Sequence, residues 1–370
     1  MSEEPIPLAR PVIGQAEEEA VLEVLRSGQL SLGPRLAEFE ESFAAFVEAP
    51  MASAVSSGTA GLELSLRAVG VKPGDEVVTS PLSFVASANV CVIEGATPVF
   101  ADIDPVTLTI DPQAAAAAVT GKTTAMLPVH IFGYPADMAA LDETGLPMVE
   151  DACEALGARY GDGSKVGSRA NPAVFGFYAN KQMTTGEGGM VTLGEPALKE
   201  LIDSERNQGR SPDMGWLSHE RLGFNFRLSD IACALGIAQL GHLDEMLAAR
   251  ERVAGWYAER LAGIEGLGLP CPDQGQARRG WFVYVVQVPA EAGRDETIGR
   301  LAEKGIQSKP YLPAIHLMEP YRERFGYREG QFPVAEEVAA RSIALPFFPQ
   351  MTEGQVERVS AELRTAVGRA

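Results

Sequence analysis

The chain has 370 residues, of which 46% are hydrophobic and 22% charged, and its formal net charge is −19. This composition is that of a soluble globular protein, and the length favours one large domain with a smaller partner domain. The negative charge argues against nucleic acid as a partner, because the sequence contains no local basic patch. No apolar run is long enough to cross a membrane, so we expect no membrane insertion.

The cysteines and the first residues disfavour two further classes of protein. Four cysteines lie far apart without CxxC spacing and are accompanied by only four histidines, so neither a disulfide framework nor a metal site is predicted. The start, Met1-Ser2-Glu3-Glu4-Pro5, lacks the basic segment and apolar core of an export signal. We therefore expect a cytoplasmic protein.

Short apolar runs alternate with helix-like stretches over the first part of the chain. Before them, Phe39, Phe43, Phe46 and Val47 recur at helical spacing. The alternation predicts a mainly parallel sheet flanked by helices, that is, an α/β fold. The predicted strands are 52–55, 76–79, 97–102, 125–129, 147–150, 173–177 and 190–193.

The pattern changes after about residue 240. A helix rich in Glu and Arg is followed by a strand at 281–288, a helix near Arg300 and a closing helix. Thr352 and Gln355 have the spacing of a capping box at the start of that last helix. We interpret this part as a smaller α+β domain, which divides the chain into 1–245 and 246–370.

One lysine follows a predicted strand in a turn of small and polar residues. Lys181 lies in the segment YANKQMTTGEGG, where its amine is placed to meet a carbonyl cofactor. A lysine that forms a Schiff base must first lose its proton, which burial and nearby cations favour. Taken alone, the segment favours a solvated loop lysine, and only the segments around it reverse that preference.

An acidic residue ends the apolar run some thirty residues earlier. Asp151, in VEDACE, stands where strand ends in α/β sheets open onto ligands. A carboxylate there is able to keep a pyridine nitrogen protonated, which makes such a ring an electron sink. A helix cap is the alternative role for Asp151.

Two upstream segments suit the other parts of such a cofactor. The run SSGTAG follows a short strand and opens a helix, so the N–H groups and hydroxyls of Ser57, Gly58 and Thr59 suit a phosphate. Phe84, in SPLSFVA, is placed to stack on a flat ring. Helix capping and core packing are the corresponding structural alternatives.

Taken in order, these segments resemble the DegT/DnrJ/EryC1/StrS family of sugar aminotransferases. The resemblance runs from near Pro11 to the 313–316 region and beyond. It is carried by SSGT, SPLSFVASAN with GATPVFADID, LPVHIFGYPADM, VEDACEALGA, YANKQMTTGEGG and LGFNFRLSDIACALGIAQL. It implies pyridoxal 5′-phosphate (PLP) as cofactor and the type I PLP-dependent transferase fold. That fold has a large domain with a mixed, mostly parallel seven-stranded sheet, a small C-terminal domain, and a homodimer with active sites at the interface.

The resemblance also implies roles for residues at matching positions. Lys181 and Asp151 are the expected catalytic residues, Lys181 by binding PLP covalently and moving the proton, Asp151 by pairing with the ring nitrogen. The expected cofactor contacts are the ring stack of Phe84, Glu154 near the ring hydroxyl, and Ser57, Gly58 and Thr59 at the phosphate.

Further expected contacts lie later in the chain. Asn225 matches an asparagine that reaches the phosphate from the neighbouring subunit. Arg227 matches a residue near the substrate, although a salt bridge is an equal alternative for it. Tyr311, His316 and the stretch 206–208 are additional candidates for substrate contacts, each with a structural alternative.

Two positions depart from the family pattern. Gly176 stands where the family commonly has a phosphate-binding Ser, and Tyr178, Asn180 and Ser57 are the candidates to compensate. Glu154 replaces the usual Gln, which places a carboxyl beside the ring hydroxyl. Neither departure removes the lysine.

The resemblance therefore implies transfer of an amino group, with glutamate as the expected donor, to a nucleotide-linked keto-sugar. A PLP-dependent sugar dehydratase is the first alternative, but such members of the family replace the lysine with histidine. A PLP- or sugar-binding regulator without turnover is the second, and the presence of Lys181 and Asp151 argues against it. A nicotinamide-binding protein is disfavoured because no strand leads into G-x-G-x-x-G.

Overall fold

The computed structural model describes residues 4–211 and 218–368; Met1, Ser2 and Glu3 lie outside this part. Seven strands form the large sheet. They confirm the predicted strands, although the fifth has only two residues. The strands are β1 Met51–Val55, β2 Glu76–Thr79, β3 Thr97–Phe100, β4 Thr123–Leu127, β5 Glu150–Asp151, β6 Ala173–Gly176 and β7 Gly189–Leu193.

The large sheet consists of two sections that share a boundary. One section has the order β1-β7-β6-β5 and the other β3-β2-β4. Parallel bridges between Met126 and Met148, and between Val129 and Asp151, join β4 to the β5 region. Only β7 runs antiparallel to its neighbours. The predicted mixed, mostly parallel seven-stranded sheet is therefore confirmed.

Helices cover both faces of this sheet. Successive strand residues point to opposite faces, so Phe175 packs in one core with Phe39 and Phe43, while Val174 packs in another with Leu62. The helices up to the end of the large sheet region are α1 Gln15–Ser27, α2 Pro34–Val47, α3 Gly58–Ala68, α4 Ala86–Ile93, α5 Pro112–Ala117, α6 Met138–Asp142, α7 Pro196–Glu205 and α8 Asp230–Leu240.

A second, antiparallel sheet follows with the order β8-β10-β9. The predicted boundary at 245/246 falls inside α9 and stays a prediction. The closing helix begins with the predicted capping box of Thr352 and Gln355. The elements are α9 Leu243–Leu261, β8 Tyr284–Gln287, α10 Arg294–Glu303, β9 Lys309–Pro310, α11 Glu319–Phe325, α12 Pro333–Arg341, β10 Ser342–Leu345 and α13 Glu353–Val367.

The small sheet has its own core, which includes Tyr257, Tyr284 and Leu363. Ile6 from the start of the chain packs into this core and forms a parallel bridge with Ile306. Within the described residues, no helix combines the length and the apolar composition that a membrane span requires.

Candidate active site

The loops that follow β1, β2, β5 and β6 meet at one edge of the large sheet. These strands run in the same direction, so their carboxyl ends open onto the same cavity. Its volume is about 570 Å³. Eight of the predicted site residues line it: Ser57, Gly58, Thr59, Phe84, Asp151, Glu154, Lys181 and Tyr311.

The amine of Lys181 is largely enclosed, because its side chain is 16% exposed. Its Nζ lies 3.6 Å from Oε1 of Glu154 and 4.0 Å from the centroid of the Phe282 ring. The carbonyl of Lys181 accepts a hydrogen bond of 3.2 Å from Nη2 of Arg250. The solvated loop lysine that the sequence left open is therefore not what the structure shows.

Asp151 is buried at the end of β5 and is one of the residues that line the cavity. The hydroxyl of Ser87 on α4 donates to Oδ2 at 2.7 Å. The backbone N–H of Cys153 donates to Oδ1 at 3.1 Å. Two donors on different elements therefore fix the orientation of this carboxylate.

Glu154 lies beside the lysine and is held through both carboxylate oxygens. The N–H of Phe132 donates to Oε2 at 3.0 Å, and the hydroxyl of Tyr311 donates to Oε1 at 3.1 Å. Burial, together with the nearby Glu154 carboxylate, raises the pKa of Tyr311 well above its usual value. Tyr311 therefore stays protonated at neutral pH and acts as a donor.

The start of α3 forms a cradle at the far end of the cavity. Gly58 and Thr59 occupy its first turn, where backbone N–H groups have no acceptor inside the helix. A Cβ at Gly58 would lie 2.7 Å from Sγ of Cys153, and one at Gly189 would lie 2.7 Å from the carbonyl carbon of Ser57. Only glycine leaves these backbones close enough together to keep the cradle open.

Phe84 projects into the cavity with 60% of its surface exposed. An exposed aromatic face costs free energy in water, since its apolar area remains hydrated. Its position on the cavity wall makes it available to stack on a planar group. Phe84 is therefore not a core residue, which was the alternative that the sequence left open.

Other predicted residues lie outside this cavity. Asn225 is exposed and pairs by backbone with Asn207. Arg227 lines a separate cleft and donates to Oδ1 of Asn207 at 2.9 Å. His316 is fully buried and contacts Glu336 at 3.0 Å.

The stretch 206–208 lies at the separate cleft as well. Arg206 is buried there and forms ion pairs with Glu40 and Asp203. The substrate contacts predicted for this stretch, for Arg227 and for His316 stay predictions.

The structure adds residues that the sequence analysis missed. Ser87 supports Asp151, Cys153 forms part of the floor, and Phe282 underlies the lysine amine. Ser87 lies in the same segment as Phe84, three residues on, so the segment was recognised but not this side chain. Phe282 and Arg250 come from distant parts of the chain, and no local pattern indicates them.

The model of the DegT/DnrJ/EryC1/StrS aminotransferase family matches residues 11–364, which is nearly the whole chain. The chain belongs to this family. It is accordingly a PLP-dependent aminotransferase, as the resemblance of its motifs implied.

Curated members of the family are similar over almost their full length. The chain is 40% identical to the spore coat polysaccharide biosynthesis protein SpsC of Bacillus subtilis, covering 98% of this chain and 97% of that protein. It is 37% identical to the GDP-perosamine synthase of Caulobacter vibrioides, covering 97% of each.

A solved family structure confirms the fold. DesV of S. venezuelae, determined in complex with a ketimine intermediate, superposes with a TM-score of 0.92 at 36% identity over 100% of both chains.

The residues present in the cavity fit PLP. The cradle at the start of α3 suits a phosphate, because a helix N-terminus presents N–H groups and a partial positive charge. Asp151 supplies the carboxylate for a ring nitrogen, and Lys181 supplies the amine for an aldehyde. Gly176 adds no side chain to the cradle, in keeping with the departure noted in the sequence.

Proposed function

We propose that this aminotransferase transfers an amino group from glutamate to a keto group on a nucleotide-linked sugar, with Lys181 binding PLP. The observation that carries the proposal is the enclosed amine of Lys181 in the same cavity as Asp151 and the α3 cradle. The name of the GDP-perosamine synthase relative supports a sugar bound to a nucleotide. The protein is expected to act in the cytoplasm.

Lys181 has two roles in this proposal. Its amine would bond covalently to the cofactor's aldehyde carbon with loss of water, and once released it would move the proton between the nitrogen-bearing substrate carbon and the aldehyde-derived carbon of the cofactor. PLP, when bound, supplies an electron sink for the carbanion. The contacts of Nζ with Glu154 and Phe282 hold the amine at the cavity, where both roles require it.

Asp151 acts as the partner of the ring nitrogen. Hydrogen bonds from Ser87 and from the N–H of Cys153 hold the negatively charged carboxylate of Asp151 in one direction. Because that charge favours a protonated ring nitrogen, Asp151 is what allows the ring to withdraw electrons. Phe84, which lines the same cavity, would stack on the ring.

We also propose that the active enzyme is a homodimer in which Asn225 of each subunit serves the cavity of its partner. Asn225 is exposed and does not line the cavity of its own subunit. Leu222, three residues earlier, is 88% exposed, as expected for an apolar side chain that a second subunit covers. Arg227 belongs to the same segment and would approach the partner's substrate.

A complementation experiment tests the shared site. Lys181→Ala and Asn225→Ala variants are purified separately, mixed, and allowed to exchange subunits. Activity regained in the mixture, from two variants that are each impaired, supports an asparagine that acts across the interface. If the mixture never exceeds the sum of the separate activities while size analysis shows mixed dimers, Asn225 does not act in trans.

The donor and acceptor are tested in separate half-reactions. Excess glutamate should convert the bound cofactor to its amine form and release 2-oxoglutarate. Keto-sugars linked to GDP, UDP or dTDP should then restore the original spectrum, whereas the free keto-sugar should not. Release of water and a dehydrated sugar without any amino donor would favour the dehydratase instead.

A further inference from the structure

Arg250 on α9 contacts both Lys181 and Phe282, the residue whose ring lies beneath the lysine amine. Its Nη2 donates to the carbonyl of Lys181 at 3.2 Å, and its Nη1 donates to the carbonyl of Phe282 at 2.9 Å. The Nζ of Lys181 lies over the Phe282 ring. One guanidinium therefore links the main chain of Lys181 to the main chain of Phe282.

This guanidinium is buried without a counter-ion. Arg250 is 2% exposed, and within residues 4–211 and 218–368 no carboxylate forms an ion pair with it. Burial lowers the pKa of Arg250 to about 10, so the group remains charged at neutral pH. Its Cζ lies 5.6 Å from the centroid of the Phe347 ring, but burying a charge without a counter-ion still costs several kcal/mol, so stability alone does not explain this arginine.

We propose that Arg250 is a positioning residue that fixes Lys181 and Phe282 relative to each other, so that the amine is held ready for covalent capture of the cofactor. The inference relies on the proposed role of Lys181. Both contacts are to main-chain oxygens, so they constrain the backbone of the lysine loop itself. Displacement of a reacting group by about 1 Å can slow a reaction about 100-fold, so such a constraint affects the rate.

The geometry of arginine suits this task better than that of lysine. The planar fork of a guanidinium presents two nitrogens in fixed directions, and Arg250 uses one for each carbonyl. A lysine at this position would retain the charge but reach one carbonyl at a time. Arg250→Lys is therefore the conservative variant, and Arg250→Met removes the charge at similar length.

The test uses the full-length enzyme, stripped of cofactor and then mixed with PLP. The first readout is the rate at which Lys181 captures PLP, followed by borohydride trapping and peptide mass analysis. The second is the Kd for pyridoxamine phosphate, which has no aldehyde and reports only on the cradle and ring contacts. Arg300→Met is the control, since Arg300 also binds a backbone carbonyl, that of Ala366, but far from the cavity.

We expect Arg250→Met to slow capture by about 10-fold or more, with Arg250→Lys intermediate, while the Kd for pyridoxamine phosphate stays near that of the wild type. Arg300→Met should leave both quantities unchanged. Equal loss of capture rate and pyridoxamine phosphate affinity in Arg250→Met would overturn the inference, because it would indicate general disruption. Unchanged capture would overturn it as well.

Phe282→Leu provides a second variant should Arg250→Met fail to fold. It removes the ring under the amine but keeps the carbonyl that Arg250 binds, so capture should slow in this variant too. Wild-type capture rates in both Phe282→Leu and Arg250→Lys would overturn the proposal. If the wild type itself captures no PLP at Lys181, the proposed function fails, which is a different outcome from normal capture in every variant.

Discussion

Tyr311 donates a hydrogen bond of 3.1 Å to Oε1 of Glu154, the same oxygen that lies 3.6 Å from the amine of Lys181. The other oxygen of Glu154 accepts from the N–H of Phe132. The carboxylate is therefore surrounded by donors, and a glutamine, with one oxygen and one NH₂ group, would not satisfy all of them. This arrangement explains how a carboxyl is accommodated where the family usually has an amide.

The first prediction concerns the ionisation of Tyr311. The Glu154 carboxylate contributes to its raised pKa, so Glu154→Gln should lower the pKa of Tyr311, while burial keeps it above the usual value. The phenol should therefore ionise at lower pH in that variant. The measurement is a phenolate absorbance titration, with Tyr311→Phe in each background to isolate this tyrosine. An unchanged or higher midpoint in Glu154→Gln would contradict the assignment.

The second prediction concerns the support of Asp151 by Ser87. Ser87→Ala removes a hydrogen bond to a buried carboxylate, an interaction of about 1.5–3 kcal/mol, and should weaken PLP binding or lower kcat by about 10-fold or more. Ser65→Ala is the matched control, since Ser65 is a buried helix serine whose hydroxyl donates to the carbonyl of Gly61. Equal effects of the two substitutions would show that Ser87 has no specific role.

The third prediction concerns the missing side chain at Gly176. A Cβ there would lie 3.4 Å from Cys153, so a serine fits with little adjustment. If its hydroxyl reaches the phosphate, Gly176→Ser should tighten PLP binding about 5-fold, corresponding to a hydrogen bond of about 1 kcal/mol. Gly176→Ala separates the effect of the hydroxyl from that of the Cβ. Weaker PLP binding in both variants would mean that the cofactor site requires the space that Gly176 leaves free of a side chain.

The fourth prediction concerns a buried network behind the site. Glu150 is fully buried, and its Oε2 accepts from Tyr160 at 2.5 Å and contacts His130 Nε2 at 2.9 Å. Tyr160→Phe should lower the free energy of unfolding by about 2–3 kcal/mol, because the Glu150 carboxyl loses a donor and the buried N–H of Gly167 loses its acceptor, the Tyr160 hydroxyl. The control, Tyr257→Phe, loses a bond only to the neutral carbonyl of Pro346 and should cost about 1 kcal/mol.

Urea denaturation with a fluorescence readout measures both losses. A smaller loss in Tyr160→Phe than in Tyr257→Phe would contradict the stronger contribution expected of the hydrogen bonds made by Tyr160.

The sequence was sufficient for the elements with strong periodic signals. The apolar runs predicted all seven strands of the large sheet, and the spacing of Phe39 and Phe43 indicated α2, whose Phe43 packs on Phe175. The capping box at Thr352 predicted the start of α13. These features depend on neighbours in the chain, which is why local patterns reveal them.

Local patterns in the sequence do not reveal contacts between segments that are distant along the chain. Arg250 lies 69 residues from Lys181 along the chain, and only folding brings α9 beside the lysine loop. The burial of His316 against Glu336 is likewise a product of packing that no local pattern indicates, and its predicted substrate contact stays a prediction. The direction in which a side chain points depends on tertiary packing, which residue type and spacing do not determine.

The measurement that tests the central claim most directly is the absorbance spectrum of the purified protein with PLP, before and after excess glutamate. The wild type should show the visible band of a lysine-bound cofactor, and glutamate should convert it to the shorter-wavelength amine form. Lys181→Ala should fail in the glutamate-driven conversion, whereas Lys122→Ala, which changes an exposed lysine, should behave as the wild type. A wild type that binds no PLP after reconstitution, or a Lys181→Ala variant that converts normally, would contradict the account.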